Sequence, residues 1–351
     1  MASYGSVMPP AAAAPTATPG TSASTPNLPT TGGSGGVSGG TTGLVPVTVR
    51  RESGRIERAD TERDIEIARR AVAELAGPAS ISAAGTDWAV AVAYTHQQRR
   101  MMLWVATNDG CAYIPPGVYL RKGYRISAIT EDFSVRWAGW WCPAETAVRA
   151  AIEDGDDVSA VATTQARWPN RKSELLDDPD LDVAWAVAHG GLHTDASELT
   201  RLRMHRLQTL GSDCWRLYED VVGATKSRAW EVCSSLTDRV AFGLDGELSP
   251  AALVVARQLV ASRTPTAQEW ADLRSEYDLA RIQEAAQRPG LEGVERGEQT
   301  GSYRQAFIVA RRLETLIRWD APIWDASDIV YAAIMAGVPV SGELLTPLAG
   351  V

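Results

Sequence analysis

The sequence predicts an α+β protein: a small antiparallel-sheet domain followed by an α-helical bundle, behind a disordered N-terminal tail. Three observations carry this. Residues 1–47 are dominated by Pro, Ala, Ser, Thr and Gly and hold no charge, so they cannot bury enough apolar area to offset their ordering entropy. Residues 86–155 alternate apolar and polar side chains, the period of a strand. Beyond Val158 apolar residues recur at helical spacing behind capping signatures. The domains divide as 1–47, the tail; 48–157, the sheet domain with an N-terminal helix; and 158–351, the helical domain.

The first helix is expected over Thr61 to Ala76, capped by Asp60, with Ile65, Ala68, Val72 and Leu75 on one face and Gly77-Pro78 as its stop. Trp88, Val90, Val92 and Tyr94 alternate as a strand with one buried face. His96 to Arg100 is a turn and Met102 to Thr107 a second strand. Asn108-Asp109-Gly110 reads as a hairpin, Cys111 to Ile114 as its returning strand, and Pro115-Pro116-Gly117 as the end. Tyr124 to Thr130 is another strand, and Pro143 opens a helix over 144–153.

About seven helices are expected in the rest of the chain. Asp195-Ala196-Ser197-Glu198 reads as a capping box before Leu199, Leu202, Leu207 and Leu210. Ser249-Pro250 opens a helix to Ala261, and Thr266 with Glu269 opens one to Gln287, ended by Pro289-Gly290. Ser302 starts a helix carrying Ala306, Val309, Leu313 and Leu316, with Arg304, Arg311 and Arg318 on other faces. Pro322 starts the last, closed by Gly337 and Pro339. Trp319 and Trp324 flank the turn between these two helices and are expected to pack it.

Candidate chemistry is sparse. Cys111 follows a tight turn and His96 lies in the neighbouring hairpin, the residue types of a thiolate nucleophile and its base. Cys111 opens a strand rather than a helix, however, and free cysteine is commonly core. The segment "HGGLHTDASE" offers His189, His193, Asp195 and Glu198 to zinc or iron, but Gly190-Gly191 breaks the helix that would align the two rings. The acidic runs at 153–157 and 177–180 lack calcium-loop spacing. "GATKS" has Thr225 where a phosphate loop needs Gly before Lys. No catalytic, cofactor or metal residues are therefore assigned. Trp137, Trp140 and Trp141 are possible partner-binding residues, since Trp is enriched at interface hot spots; clustered Trp beside a strand end is also a common core feature.

The charge balance narrows the function classes. A net charge of −9 repels phosphate backbones, so nucleic acid is not an expected partner. The four cysteines form no CxxC pair and no disulfide scaffold, which fits a reduced cytoplasmic protein; a Cys214–Cys233 bridge stays open. No apolar run spans a membrane, and no charged n-region or Leu-rich core marks a secretory leader.

The composite "DWAVAVAYT", "MLWVATNDGCAYIPPGVYL" and "RWAGWWCPAETAVRA", with "WDAPIWDASDIVYAAIMAG" further on, resembles the C-terminal region of EspK-type proteins, mycobacterial proteins associated with type VII (ESX-1) secretion. The resemblance covers residues 55–351, and the Pro/Ala/Gly-rich tail is similar to the linker of such proteins. It implies a chaperone or adaptor that escorts a secretion substrate, and it supplies no catalytic residues. Two departures stand out. The helical N-terminal module of that family is absent, and no Tyr-x-x-x-Asp/Glu export signal follows Tyr218, Tyr277 or Tyr331. The expectation is a non-enzymatic protein-interaction module with a secretion substrate or machinery component as partner. The alternative is a metal- or cysteine-dependent enzyme of unknown reaction.

Overall fold

The first helix does not stop at its proline. In the computed structural model, which describes residues 58–83, 85–169, 171–290, 296–320 and 324–339, α1 runs Arg58–Ser82 straight through Pro78. Proline lacks the N–H that would reach back to the carbonyl of Glu74. Here the Thr194 hydroxyl donates to that oxygen at 2.8 Å, and Gly190 N–H donates to the adjacent Ala73 carbonyl at 2.8 Å. The loop can come this close because Gly77 has no Cβ; one added there would fall on the Gly191 carbonyl oxygen. The segment read as a metal candidate is thus a strap over a helix whose proline left an acceptor open. The tail expected at 1–47 lies outside the described residues.

Strands β1 (Trp88–Thr95) and β2 (Met101–Thr107) form the expected antiparallel hairpin around the 96–100 turn. The chain then forms β3 (Leu120–Arg121), β4 (Tyr124–Ile126), α2 (Glu131–Trp137), α3 (Pro143–Glu153), β5 (Asp156–Thr163), β6 (Asp182–Ala184) and β7 (Arg203–Met204). The main sheet has the order β4-β2-β1-β5-β6. Its three central strands are antiparallel, while β4 runs parallel to β2 and β6 parallel to β5, so the sheet is mixed rather than purely antiparallel. The boundary expected between residues 157 and 158 falls inside β5, and the described residues belong to one compact unit.

β1 is central and is buried on both faces, not one. Trp88, Val90 and Val92 pack on Ala68, Val72 and Leu75 of α1. Ala89, Ala91 and Ala93 face α3, where Ala144, Ala147, Val148 and Ala151 meet them, with Phe133 and Trp137 of α2 alongside. The small side chains on this second face hid it from an alternation count.

No return strand follows Asn108-Asp109-Gly110. Both edges of β2 are already taken by β1 and β4. Residues 108–113 instead close a buried turn, with Tyr113 N–H donating to the Asp109 carbonyl at 3.0 Å. Gly110 sits at φ 60°, and a Cβ there would meet the Phe307 ring at 3.2 Å.

The helices begin later than expected. Thr194 caps one 3-10 turn, Asp195–Ser197, and another runs Arg206–Leu210; no helix spans 199–210. The leucine spacing i, i+3, i+8, i+11 fits one helical face, but Leu199 and Leu202 are exposed and only Leu207 of the four is fully buried, so no core packs against a helix there. Then come α4 (Ser212–Gly223), α5 (Lys226–Phe242), α6 (Pro250–Val260), α7 (Ala267–Ala286), α8 (Arg296–Ile317) and α9 (Ala326–Met335), around one core that includes Leu217, Leu236, Val255, Leu273, Leu313 and Ile329. Ser249 and the Thr266/Glu269 box cap α6 and α7 as read. Thr225, in the phosphate-loop look-alike, caps α5. Pro322 lies outside the described residues, and Asp325 caps α9. Trp319 and Trp324 pack their corner with Trp230, whose ring centroid is 4.5 Å from that of Trp319. Among the described residues no helix is long and apolar enough to cross a membrane.

The strap makes a specific prediction. Thr194→Val should cost about 1–2 kcal/mol by orphaning the Glu74 carbonyl. In a Pro78→Ala background, which restores the helical N–H, the same change should cost less, because only the cap on Ala196 N–H is then lost. A urea-denaturation double-mutant cycle measures the difference, and equal costs in both backgrounds would refute this account of Pro78.

Candidate functional site

The residues nominated from sequence do not converge. Cys111 is buried, and burial pushes its thiol up. His96 pairs with Asp157 at the opposite end of β2 from Cys111, with its ring exposed, so the two cannot act together. The other three cysteines are also buried and free, so no Cys214–Cys233 bridge forms, and Cys142 is pushed up to about 12 by burial. His189, His193, Asp195 and Glu198 are all exposed, and no three of them share an ion-sized space. In the acidic runs Asp154 pairs with Arg125, Asp156 accepts the Trp104 indole N–H at 3.0 Å, and Asp177 pairs with Arg167 at 2.8 Å.

The tryptophan trio is mostly interior. Trp137 and Trp141 are 4% and 8% exposed, which fits the core placement that the sequence also allowed; Trp140 is half-buried. Arg149 lies 4.8 Å over Trp137, and Arg171 lies 4.6 Å over Trp141 and 4.9 Å over Trp168. Trp141 N–H donates to the Pro289 carbonyl, so the cluster ties the start of α3 to the end of α7. Its most exposed described member is Trp168, at 38%.

The ionisable groups that do converge were not singled out from sequence. They form a buried spine between the sheet and the helices, starting at the turn after β2. Asp109, with no exposed surface, takes Arg281 Nη2 at 3.1 Å. The Tyr303 hydroxyl accepts from Gly110 N–H at 2.7 Å and lies 3.4 Å from Asp109 Oδ1 and 3.3 Å from Glu284 Oε1. Glu284 Oε2 is 3.3 Å from Arg311 Nη2, and Arg311 Nη1 is 3.2 Å from Glu314 Oε2. Glu314 also receives the Tyr113 hydroxyl at 2.8 Å and Arg206 Nη1 at 2.8 Å. Arg206 Nε reaches Asp328 Oδ1 at 2.6 Å. The guanidinium of Arg311 lies 3.9 Å over Tyr113, and that of Arg206 lies 4.4 Å over Tyr331. Arg311, expected on a different face from the apolar stripe, is fully buried.

Burial works against every carboxylate in the spine, and neighbours decide the outcome. At Asp109 burial is outweighed, by Arg281 above all, and the carboxyl is held well below its usual range. At Glu284 burial and the Asp109 charge prevail over Arg311 and Arg281, so this carboxyl is pushed up. Burial at Glu314 and Asp328 is overcome, by Arg206 first at each, and both are held low. The sequence signal that could have found Glu284 is its place on the buried α7 stripe Leu273, Tyr277, Ala280; Glu314 likewise continues Tyr303, Phe307, Ala310.

At the end of the spine, His205 with Asp325 and Asp328 is the grouping among the described residues whose donor atoms lie within 4.8 Å of one another. Its geometry is already satisfied internally. His205 Nδ1 accepts Leu207 N–H at 3.1 Å, so the ring proton sits on Nε2, facing Asp328 Oδ1 at 3.2 Å. A metal-binding imidazole has the opposite arrangement, with its second nitrogen donating. Nearby, a cleft of about 280 Å³ runs between β4 and the 206–210 turn, lined by Trp104, Tyr124, Ile126, Met204 and Gln208. Arg125 at its lip lies 5.3 Å over Trp104 and pairs with Asp154, and no Cys or His lines it.

No family model matches the chain, and no curated protein matches it. Among solved structures it is similar to a fragment of conserved hypothetical protein Rv3899c from Mycobacterium tuberculosis, at 13% identity and a TM-score of 0.33, covering 79% of this chain and 95% of that one.

Two outcomes are expected of the spine. Arg206→Met, which leaves Glu314 and Asp328 short of their shared cation, should cost about 3–5 kcal/mol in urea unfolding. Asp109, Glu314 and Asp328 have folded pKa values below their unfolded ones, so their contribution is present above about pH 4 and is lost as pH falls. Glu284, raised, has the opposite sign and weakens the fold as pH rises. Urea midpoints between pH 6 and pH 2 should therefore fall with acidification, less steeply in Asp328→Asn. Equal slopes in the two proteins would contradict the assignment for Asp328.

Proposed function

We propose that this chain is a non-catalytic protein-interaction module, a cytoplasmic chaperone or adaptor associated with type VII secretion, whose partner is a secretion substrate or a machinery component. The observation that carries the reading is the outward display of leucines on the strap. Leu192, Leu199 and Leu202 are 50%, 46% and 75% exposed on a segment held to α1 by Gly190 and Thr194. Apolar side chains on an anchored segment present a surface without the ordering cost of a loose loop. The ionisable residues brought together, by contrast, are mostly spent on one another inside the protein. The resemblance of the 319–337 segment and of the sheet region to EspK-type proteins supplies the secretion context.

The test is affinity purification of the full chain from mycobacterial lysate, beside a Leu199→Asp/Leu202→Asp variant with an unchanged circular dichroism spectrum. Wild type should enrich a type VII substrate or machinery component, and the variant should recover at least about tenfold less, equivalent to roughly 1.4 kcal/mol. Absence of any such component, or equal recovery by the variant, would overturn the reading.

A further inference from the structure

His205 is 2% exposed and occupies a position between two incompatible sets of bonds. Its Nδ1 is the side-chain cap of the 206–210 turn, accepting Leu207 N–H at 3.1 Å, while Gln208 Oε1 returns the favour by accepting His205 N–H at 2.8 Å. Its Nε2 faces Asp328 Oδ1 at 3.2 Å and Asp325 Oδ2 at 3.9 Å. A neutral imidazole fits this arrangement, with one bare nitrogen toward a donor and one N–H toward an acceptor. An imidazolium does not, because both nitrogens then carry protons and Nδ1–H would point at Leu207 N–H.

We propose that His205 is a proton-operated latch: neutral, it caps the 206–210 turn; charged, it abandons that cap and is held between Asp325 and Asp328 of α9.

The surroundings support two states. Asp328 and Asp325 from α9 are the anions facing the ring, and Arg206 from its own turn is the nearby cation, already engaged with Asp328 at 2.6 Å. Arg318, which acts on Asp328 from the turn after α8, is a further cation on this side. Tyr218 of α4 stacks on the ring at 5.2 Å and 20°, and Tyr119 lies 6.1 Å away. Both phenols are pushed up, by burial first and then by Asp328 and Asp325 at Tyr119 and by Asp325 at Tyr218, so they carry no charge into the site. Asp325 is 43% exposed and its other oxygen caps α9 through Ser327 N–H, so it can receive a second imidazole N–H at the open edge of the site. On the other side of the balance is Leu207. Its side chain is fully buried in the helical core, and its N–H has the imidazole as acceptor. Protonation therefore trades one buried cap for two charge-assisted hydrogen bonds, a local change with a readout in the turn that leads into α4. Imidazole is the side chain whose ordinary titration lies between pH 5 and 8. The latch does not depend on what the protein binds.

Residue-resolved amide exchange on the full chain between pH 8 and pH 5, corrected for intrinsic rates, tests this alongside NMR of the imidazole ring protons. Protection of the Leu207 and Gln208 amides should fall at least about tenfold as the His205 ring takes up its proton, while the β1 amides hold. His205→Asn, which caps with an amide oxygen and does not titrate, should show a flat profile. An unchanged Leu207 amide while the ring titrates, a ring that stays neutral to pH 5, or the same loss in His205→Asn would each overturn the latch. Should His205→Asn fail to fold, Asp325→Asn retains the α9 cap but removes one anion. It should move the transition to lower pH, and an unmoved transition would refute the proposal.

Discussion

A carboxylate that loses all contact with water must find its compensation within the fold, and Asp109 sets this requirement at the junction of sheet and helices. It sits directly after β2, so its place is dictated by the sheet. Its cation, Arg281, comes from α7 and is itself nearly buried. From there each charge calls for the next: Glu284 one turn along α7, Arg311 and Glu314 on α8, Arg206 ahead of α4, Asp328 on α9. Hydrophobic contact alone would let the helices slide against the sheet at small cost, since it has no preferred direction. A sequence of ion pairs with fixed partners does not permit this. The three tyrosines at 113, 303 and 331 reinforce the register. The backbone N–H groups of Gly110 and Ile114 donate to the hydroxyls of Tyr303 and Tyr331, at 2.7 and 3.0 Å.

Much of the fold was legible because its signals are local. The hairpin around 96–100, the cap at Ser249 and the box at Thr266 each involve residues a few positions apart. What was not legible depends on distant partners. Gly77-Pro78 is a stop signal unless an acceptor-seeking hydroxyl arrives from residue 194. Asn108-Asp109-Gly110 is a hairpin signal unless both edges of the preceding strand are occupied. Alternation in β1 gave one face correctly and missed the alanine face, because alanine is too small to stand out until α3 is seen against it.

The site was less legible than the fold, for a related reason. Cys111, His96 and the tryptophans attract notice by residue type, whereas Arg311 and Glu314 look like ordinary helix-surface charges. Their significance lies in falling on a stripe otherwise made of Tyr303, Phe307 and Ala310. The protein also inverts the usual division between inside and outside: Arg206, Arg311 and Glu314 are sealed in, while Leu202, Val222 and Ile282 are left in water. Buried charge therefore orders the interior here, while several large apolar side chains face water.

The contact between Thr194 and Glu74 spans 120 positions of sequence. On a ribosome, α1 and β1 emerge long before the residue that completes the helix around Pro78, so that helix leaves the exit tunnel with a carbonyl that only later chain can cover. Synthesis at about 5–20 residues per second places several seconds or more between the two events. During that interval the Glu74 carbonyl has water, not Thr194, as its partner.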